Sequence, residues 1–339
     1  MSAQLGTFAF SALVSLLVLY ALYQILIRGF VHTFRSWGPE KHLRKRAVPT
    51  GGGIIFLIVL VAMQAVGMLM SDALFSPEDR YLKASLMLTG LAVLLGLLGF
   101  ADDWLKVRRK SSTGLLARYK LLAQLLLCLL FLWQVYPYAE QEALIPFSEG
   151  GVSLPLWVFM LIGAVLLMGM VNGMNFADGL DGLASGLSLI MLGTLVFTFN
   201  LTGWSTPDNP LGNMLLFGSI TIAGAAFAFL VANFRPALLY MGDTGSYALG
   251  AFIGGVAILS GFMFYLVIIG VLLAVEILSV VLQVVYFRLT AGGRIFKMSP
   301  LHHHFELSGM SELAVVFVFW GAQAILGVIA VSGYFWSTL

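Results

Sequence analysis

The chain has 339 residues, of which 60% are apolar and only 10% are Asp, Glu, Lys or Arg, whereas a water-soluble domain carries roughly 25% charged residues. That deficit, with a mean hydropathy of +0.97, excludes a soluble globular protein, and apolar runs that are solid rather than alternating exclude a transmembrane β-barrel. The single cysteine, Cys128, excludes an intramolecular disulfide framework, and a formal charge of +2 says little until the charges are placed along the chain.

Ten apolar runs predict membrane helices over residues 8–27, 52–70, 82–100, 121–138, 154–171, 183–201, 211–231, 245–259, 262–287 and 313–335. The expected fold is therefore all-α, a single polytopic transmembrane domain over 1–339 with modest loops. The first run has no cation before it and Arg28 just after it, the reverse of a signal peptide, and reads as a retained span. Crossing the membrane with each run leaves only Arg80 and Lys83 on one side, so 16 of the 18 Lys and Arg residues fall on the other. By the positive-inside rule that rich face is cytoplasmic and both termini are periplasmic. The ninth run is too long for a straight span: 262–287 would measure roughly 39 Å against about 30 Å of hydrocarbon, which predicts tilt or a break. Glu276 and Gln283, seven residues apart, share one face of it, where a structural role at a kink or helix contact is the plain reading.

Five polar clusters lie at cytoplasmic helix ends. Lys45, Arg46, Pro49, Thr50 and the glycines 51–53 lead into the second helix, where the glycines could form a phosphate-binding nest or allow close packing. Asp102 and Asp103 end the third helix beside Lys106, Arg108, Arg109, Lys110, Arg118 and Lys120; adjacent carboxylates invite a divalent cation or a proton, or else cap a helix. Asn172, Asn175, Asp178, Gly179, Leu180, Asp181 and Gly182 fill the loop expected between the fifth and sixth helices, more oxygen ligands than an Asx-turn needs. Asn233, Arg235, Tyr240, Asp243, Thr244 and Ser246 set an anionic ligand beside a helix start and an aromatic that could stack on a base or sit at the interface. His302, His303 and His304 follow Pro300; consecutive histidines point apart, so proton transfer or hydrogen bonding to phosphate is favoured over a three-histidine zinc site.

One membrane face thus gathers the inventory for phosphoryl transfer. Two phosphates of charge −2 brought to 4 Å repel by about 4 kcal/mol in water and roughly 16 kcal/mol at an effective permittivity of 20. Several cations and a carboxylate-held Mg²⁺ are needed to offset that. A secondary transporter would gather its polar residues near the midplane, often in paired repeats, and neither feature is present in the sequence.

The segments 45–53, 100–106, 172–184, 233–246 and 300–306 resemble the polyprenyl-phosphate N-acetylhexosamine-1-phosphate transferases over nearly the whole chain, and the run from Pro300 to Glu306 resembles the phospho-N-acetylmuramoyl-pentapeptide transferase branch. The resemblance implies transfer of phospho-MurNAc-pentapeptide from UDP-MurNAc-pentapeptide to undecaprenyl phosphate in the bacterial inner membrane, giving lipid I and UMP, with Mg²⁺ as cofactor. A UDP-GlcNAc-using relative is the alternative. The expected partners are the two substrates and the bilayer, with no nucleic acid and with a homodimer as an allowed assembly. By the same resemblance Asp102, Asp103, Asp243, His302, His303 and His304 are the expected catalytic residues, with Asp243 on the metal. Lys45, Lys106, Lys110, Lys120, Asn172, Asn175, Asp178, Gly179, Leu180, Asp181, Asn233, Tyr240 and Gln283 are expected to line the substrate cleft. Where the family usually reads Gly-Thr-Pro-Thr-Met-Gly-Gly this chain has Ala47-Val48-Pro49-Thr50-Gly51-Gly52-Gly53, and Thr113 stands for a usual lysine. Direct attack by the lipid phosphate and a two-step route through an acyl-phosphate both remain open on the sequence.

Overall fold

A computed structural model describes residues 2–29, 31–32, 48–69, 79–110, 113–140, 142–204 and 209–336. Its helices, in chain order, are α1 (Ser2–Gly29), α2 (Ile54–Leu69), α3 (Asp79–Arg109), α4 (Ala117–Val135), α5 (Leu156–Ala177), α6 (Leu183–Leu201), α7 (Pro210–Asn233), α8 (Gly242–Leu259), α9 (Tyr265–Ile269), α10 (Val271–Leu289), α11 (Leu301–Leu307) and α12 (Glu312–Trp336). Among the described residues seven helices are long and apolar enough to cross a membrane: α3 from Leu82, α4, α5, α6, α7, α10 and α12. Shorter apolar stretches, Ala9–Ala21 and Ile54–Val66, lie in α1 and α2. The chain is thus a polytopic, mostly helical membrane protein. Two short antiparallel ladders, not expected from the sequence, pair β1 (Val31–His32) with β2 (Val48–Pro49) and β3 (Ala143–Leu144) with β4 (Gly151–Val152).

The centre of the bundle is α8, whose residues from Asp243 to Leu259 are all buried. It packs most extensively on α3 and α5, while α1 lies along α7 and α12 along α6. Small residues explain the close approach, since apolar side chains gain little from leaving lipid and helices associate through backbone proximity. A Cβ on Gly53 would strike the backbone of Gly245, and one on Gly99 would strike the carbonyl of Asp243. The start of α2 and the backbone of α3 therefore touch the first turn of α8 directly. Outward faces stay apolar, with Leu161 and Val165 on α5 and Ile325 and Val328 on α12 all exposed, as a lipid solvent requires.

The overlong ninth run is broken. Gly270, at φ −92° and ψ 0°, separates α9 from α10. Gln323 of α12 donates to the Ile269 carbonyl at 2.9 Å, which satisfies a backbone acceptor at the break.

The glycine run before α2 settles on the packing alternative. Gly52 and Gly53 donate their N–H groups to the carbonyls of Tyr240 and Met241 at 2.9 and 3.0 Å, and Tyr240 donates to Pro49 at 2.9 Å. These amides are spent within the protein, so Gly52 and Gly53 do not form an anion nest.

Candidate active site

Three carboxylates meet where α3 ends and α8 begins. Ligand oxygens of Asp102, Asp103 and Asp243 lie within 4.8 Å of one another, and all three residues are buried. Helix α3 outruns its expected end at 100, which places Asp102, Asp103 and Lys106 on one continuous helix, Lys106 one turn beyond the pair. The Lys106 ammonium is 2.6 Å from Asp102 Oδ2, 3.1 Å from Asp243 Oδ1 and 3.8 Å from Asp103 Oδ1. Lys120, on the first turn of α4, reaches Asp243 Oδ2 at 2.7 Å and Asp102 Oδ2 at 3.5 Å. Two ammonium groups thus face three buried carboxylates and offset part of the charge that burial would otherwise penalise.

The two residues of the acidic pair differ in their surroundings. Asp103 is spoken for: Oδ1 accepts from Asp243 N at 3.2 Å, and Oδ2 accepts from Thr244 N at 3.0 Å and Thr244 Oγ1 at 2.8 Å. It satisfies otherwise orphaned N–H groups at the start of α8, where the helix dipole favours an anion. Gly242, at φ +73°, leaves room for it, since a Cβ there would sit 2.5 Å from Asp103 Oδ2. Asp102 instead accepts one backbone bond, from Leu115 at 2.7 Å, and turns Oδ2 toward the two lysines.

Asp243 is held by Lys106, Lys120 and the Asn175 amide, which donates to Oδ1 at 2.9 Å and to Ser246 Oγ at 3.1 Å. Burial works against its charge, but the ammonium groups of Lys106 and Lys120 hold its carboxyl well below the usual carboxylate range.

Asn172 and Asn175, expected in a loop, lie on the last turns of α5, which continues to Ala177. Asn172 donates to Gln124 Oε1 and Met168 O, both at 2.9 Å, and so joins α5 to α4. Asp178 caps α5, Leu180 is fully buried, and Gly179 lies against His302. Asp181 Oδ2 accepts from Ala237 N at 3.3 Å. Asn233 Oδ1 accepts from Gly182 N and its amide donates to Leu239 O, both at 2.9 Å. These last two residues staple the loop after α5 to the loop after α7. Tyr240 is buried with Val48 and Ala237. Gln283 Oε1 accepts from Ile295 and Phe296 N–H groups at 3.2 and 2.9 Å, folding the loop after α10 back on its helix.

The three histidines form part of α11 and face different partners: His302 Nδ1 meets Glu276 at 3.1 Å, His303 Nδ1 meets Glu306 at 3.4 Å, and His304 Nδ1 accepts from Lys297 N at 3.1 Å. Lys110 is exposed just past α3 and joins none of the ion pairs among the described residues. Lys45 lies outside the described residues. Sequence reasoning missed Glu312, which is buried, accepts from Asp181 N at 3.2 Å and pairs with Arg235 at 3.2 Å. Its partners are far away in sequence, so no local pattern marks it.

The donor set suits a hard divalent cation, since clustered carboxylate oxygens are the ligands Mg²⁺ prefers. Asp243 and Asp102 fit that role better than Asp103, whose oxygens are engaged by α8.

Comparison with known proteins agrees with this chemistry. Residues 85–261 match the family described as glycosyl transferase family 4, a stretch that holds all three aspartates. The phospho-N-acetylmuramoyl-pentapeptide-transferase of Bacillus velezensis is 39% identical over 329 residues, covering 96% of this chain and 96% of its own. Proteins of the same name from Bacillus pumilus (39%, over 89% of this chain and 88% of the relative) and Caldanaerobacter subterraneus (40%, over 86% and 85%) are similarly close.

Proposed function

The chain belongs to the phospho-N-acetylmuramoyl-pentapeptide transferases of glycosyl transferase family 4, and from that membership we propose that it transfers phospho-MurNAc-pentapeptide from UDP-MurNAc-pentapeptide to undecaprenyl phosphate. The products are lipid I and UMP, and the setting is the cytoplasmic face of the bacterial inner membrane. The observation that carries the reading is the buried cluster of three aspartates and two lysines at the α3–α8 junction. The cation distribution supports ten spans with both termini periplasmic. The exposed apolar side chains of α10, among them Leu278, Val281, Leu282 and Val285, suit the acceptor's hydrocarbon tail.

Asp243 would hold Mg²⁺, whose bound charge offsets that of the diphosphate. Asp102 takes the proton of the lipid phosphate, and the freed oxygen attacks the β-phosphorus of the UDP-sugar. The bond from that phosphorus to the oxygen bridging the α-phosphate breaks, and UMP leaves with the electron pair. Lys106 and Lys120 exchange carboxylate partners for phosphate oxygens as negative charge arrives. Asn175 keeps Asp243 oriented, while Asp181, Asn233 and Gln283 shape the loops around the nucleotide.

A relative using UDP-GlcNAc would share the aspartates, and the histidine run favours the muramoyl substrate. Purified protein with Mg²⁺ and undecaprenyl phosphate is expected to release UMP at least about 100-fold faster, by kcat/KM, from UDP-MurNAc-pentapeptide than from UDP-GlcNAc, since contacts to the lactyl group and the peptide act as differential binding. Equal or reversed rates would overturn the assignment.

A further inference from the structure

Glu276 is fully buried on α10, and among the described residues its only ion-pair partner is a histidine. An acid in that setting is costly unless hydrogen bonds replace its water. Three donors do so. Oε2 accepts from Leu301 N at 2.9 Å and lies 3.1 Å from His302 Nδ1, and Oε1 accepts from His302 N at 3.2 Å. An amide in place of the carboxylate could not serve them, because glutamine offers one acceptor oxygen and turns N–H groups toward the remaining donors. The need for an acid, rather than any polar group, is thus set by this geometry.

The consequence falls on the imidazole. A neutral ring with Nδ1 against a carboxylate carries its proton there, which leaves Nε2 as a lone-pair acceptor. That Nε2 has no hydrogen-bond partner among the described residues, although His302 is fully buried. It is aimed at Gly179: a Cβ on that residue would collide with Nε2. Gly179 follows the end of α5, whose Asn175 is bonded to Asp243. The unsatisfied nitrogen therefore lies along the segment that joins the histidine helix to the carboxylate cluster.

We infer that Glu276 is a positioning residue for the transfer reaction, fixing His302 in its Nδ1-protonated tautomer so that Nε2 faces the Asn175–Gly179 segment as a proton acceptor. The inference rests on the proposed transferase reading, but its spectroscopic arm does not use activity. No turnover by the wild type would sink that reading and leave the tautomer measurement standing.

The test uses full-length protein in detergent micelles, labelled with ¹⁵N-histidine, with the His302 signals assigned by their loss in His302→Gln. The wild type is expected to show a protonated, pyrrole-type Nδ1 and a pyridine-type Nε2 at His302; the opposite tautomer would overturn the inference without any Glu276 variant having to fold. Glu276→Gln is expected to lose the tautomer preference and to lower kcat roughly tenfold or more, with KM for both substrates within about twofold. Added to His302→Gln, it should lower kcat no further, because its effect passes through the ring. A kcat for Glu276→Gln within about twofold of wild type, or losses that multiply in the double variant as independent structural damage would, counts against it.

Discussion

Asp243→Asn is expected to lower kcat by at least about 1,000-fold while leaving the fold intact, the scale on which loss of a charge acting on the transferring group is felt. The side chain is the one point where both lysines and Asn175 converge: Lys120 at 2.7 Å, Lys106 at 3.1 Å and the amide at 2.9 Å. Asparagine fills the same volume and still accepts one hydrogen bond, so packing in the first turn of α8 should survive. What it removes is the negative charge that would hold a divalent cation and set the lysines in place. Both lysines retain Asp102 as a partner, at 2.6 and 3.5 Å, which limits the cost to folding. The check is steady-state UMP release beside a thermal melt in the same detergent. Turnover within about tenfold of wild type would remove Asp243 from the centre of the chemistry.

Asp103→Ala should damage both properties at once. Its carboxylate accepts three bonds from Asp243 and Thr244, and bonds to a charged acceptor contribute about 1.5–3 kcal/mol each before the cost of burying that charge is subtracted. A net loss of about 2–4 kcal/mol is expected, seen as a thermal midpoint several degrees lower, because α8 would begin with buried, unpaired N–H groups. Activity should fall at least about 100-fold, since the same turn carries Asp243 and a small misplacement of a catalytic group is costly. The contrast with Asp243→Asn separates a residue that builds the site from one that acts in it. Complete loss of turnover with an unchanged melt would instead give Asp103 a direct chemical role.

Much of this was legible in the sequence because the bilayer makes apolar length a strong signal. The sixth run, 183–201, coincides with α6, and the excess length of the ninth foreshadowed the break at Gly270. Where expectation and structure part, the helix continues beyond the apolar run on polar residues. Helix α3 runs on to Arg109 on the Asp102–Lys106 pairing, and α5 carries Asn172 and Asn175 to its end at Ala177. Hydropathy marks where the lipid stops and is silent on where the helix does.

The polar clusters were legible as sets, whereas their internal pairing was not. Lys106 meets Asp243 across 137 residues of chain and Asn175 meets it across 68, and no periodicity connects such partners. The difference between Asp102 and Asp103, adjacent and chemically identical, arises wholly from which one faces the first turn of α8. Glu276 read as a residue at a kink or helix contact, and its partner is the backbone and ring of a helix 25 and 26 residues further on.

The most direct test is the position of a metal in crystals of the full-length protein grown with UDP-MurNAc-pentapeptide and Mn²⁺ in place of Mg²⁺, located by anomalous scattering. Expected is one strong peak in direct coordination to the Asp243 carboxylate, absent from crystals of Asp243→Asn. A peak remote from the α3–α8 junction, or one undiminished in the asparagine variant, would contradict the assignment of phosphoryl transfer to this cluster.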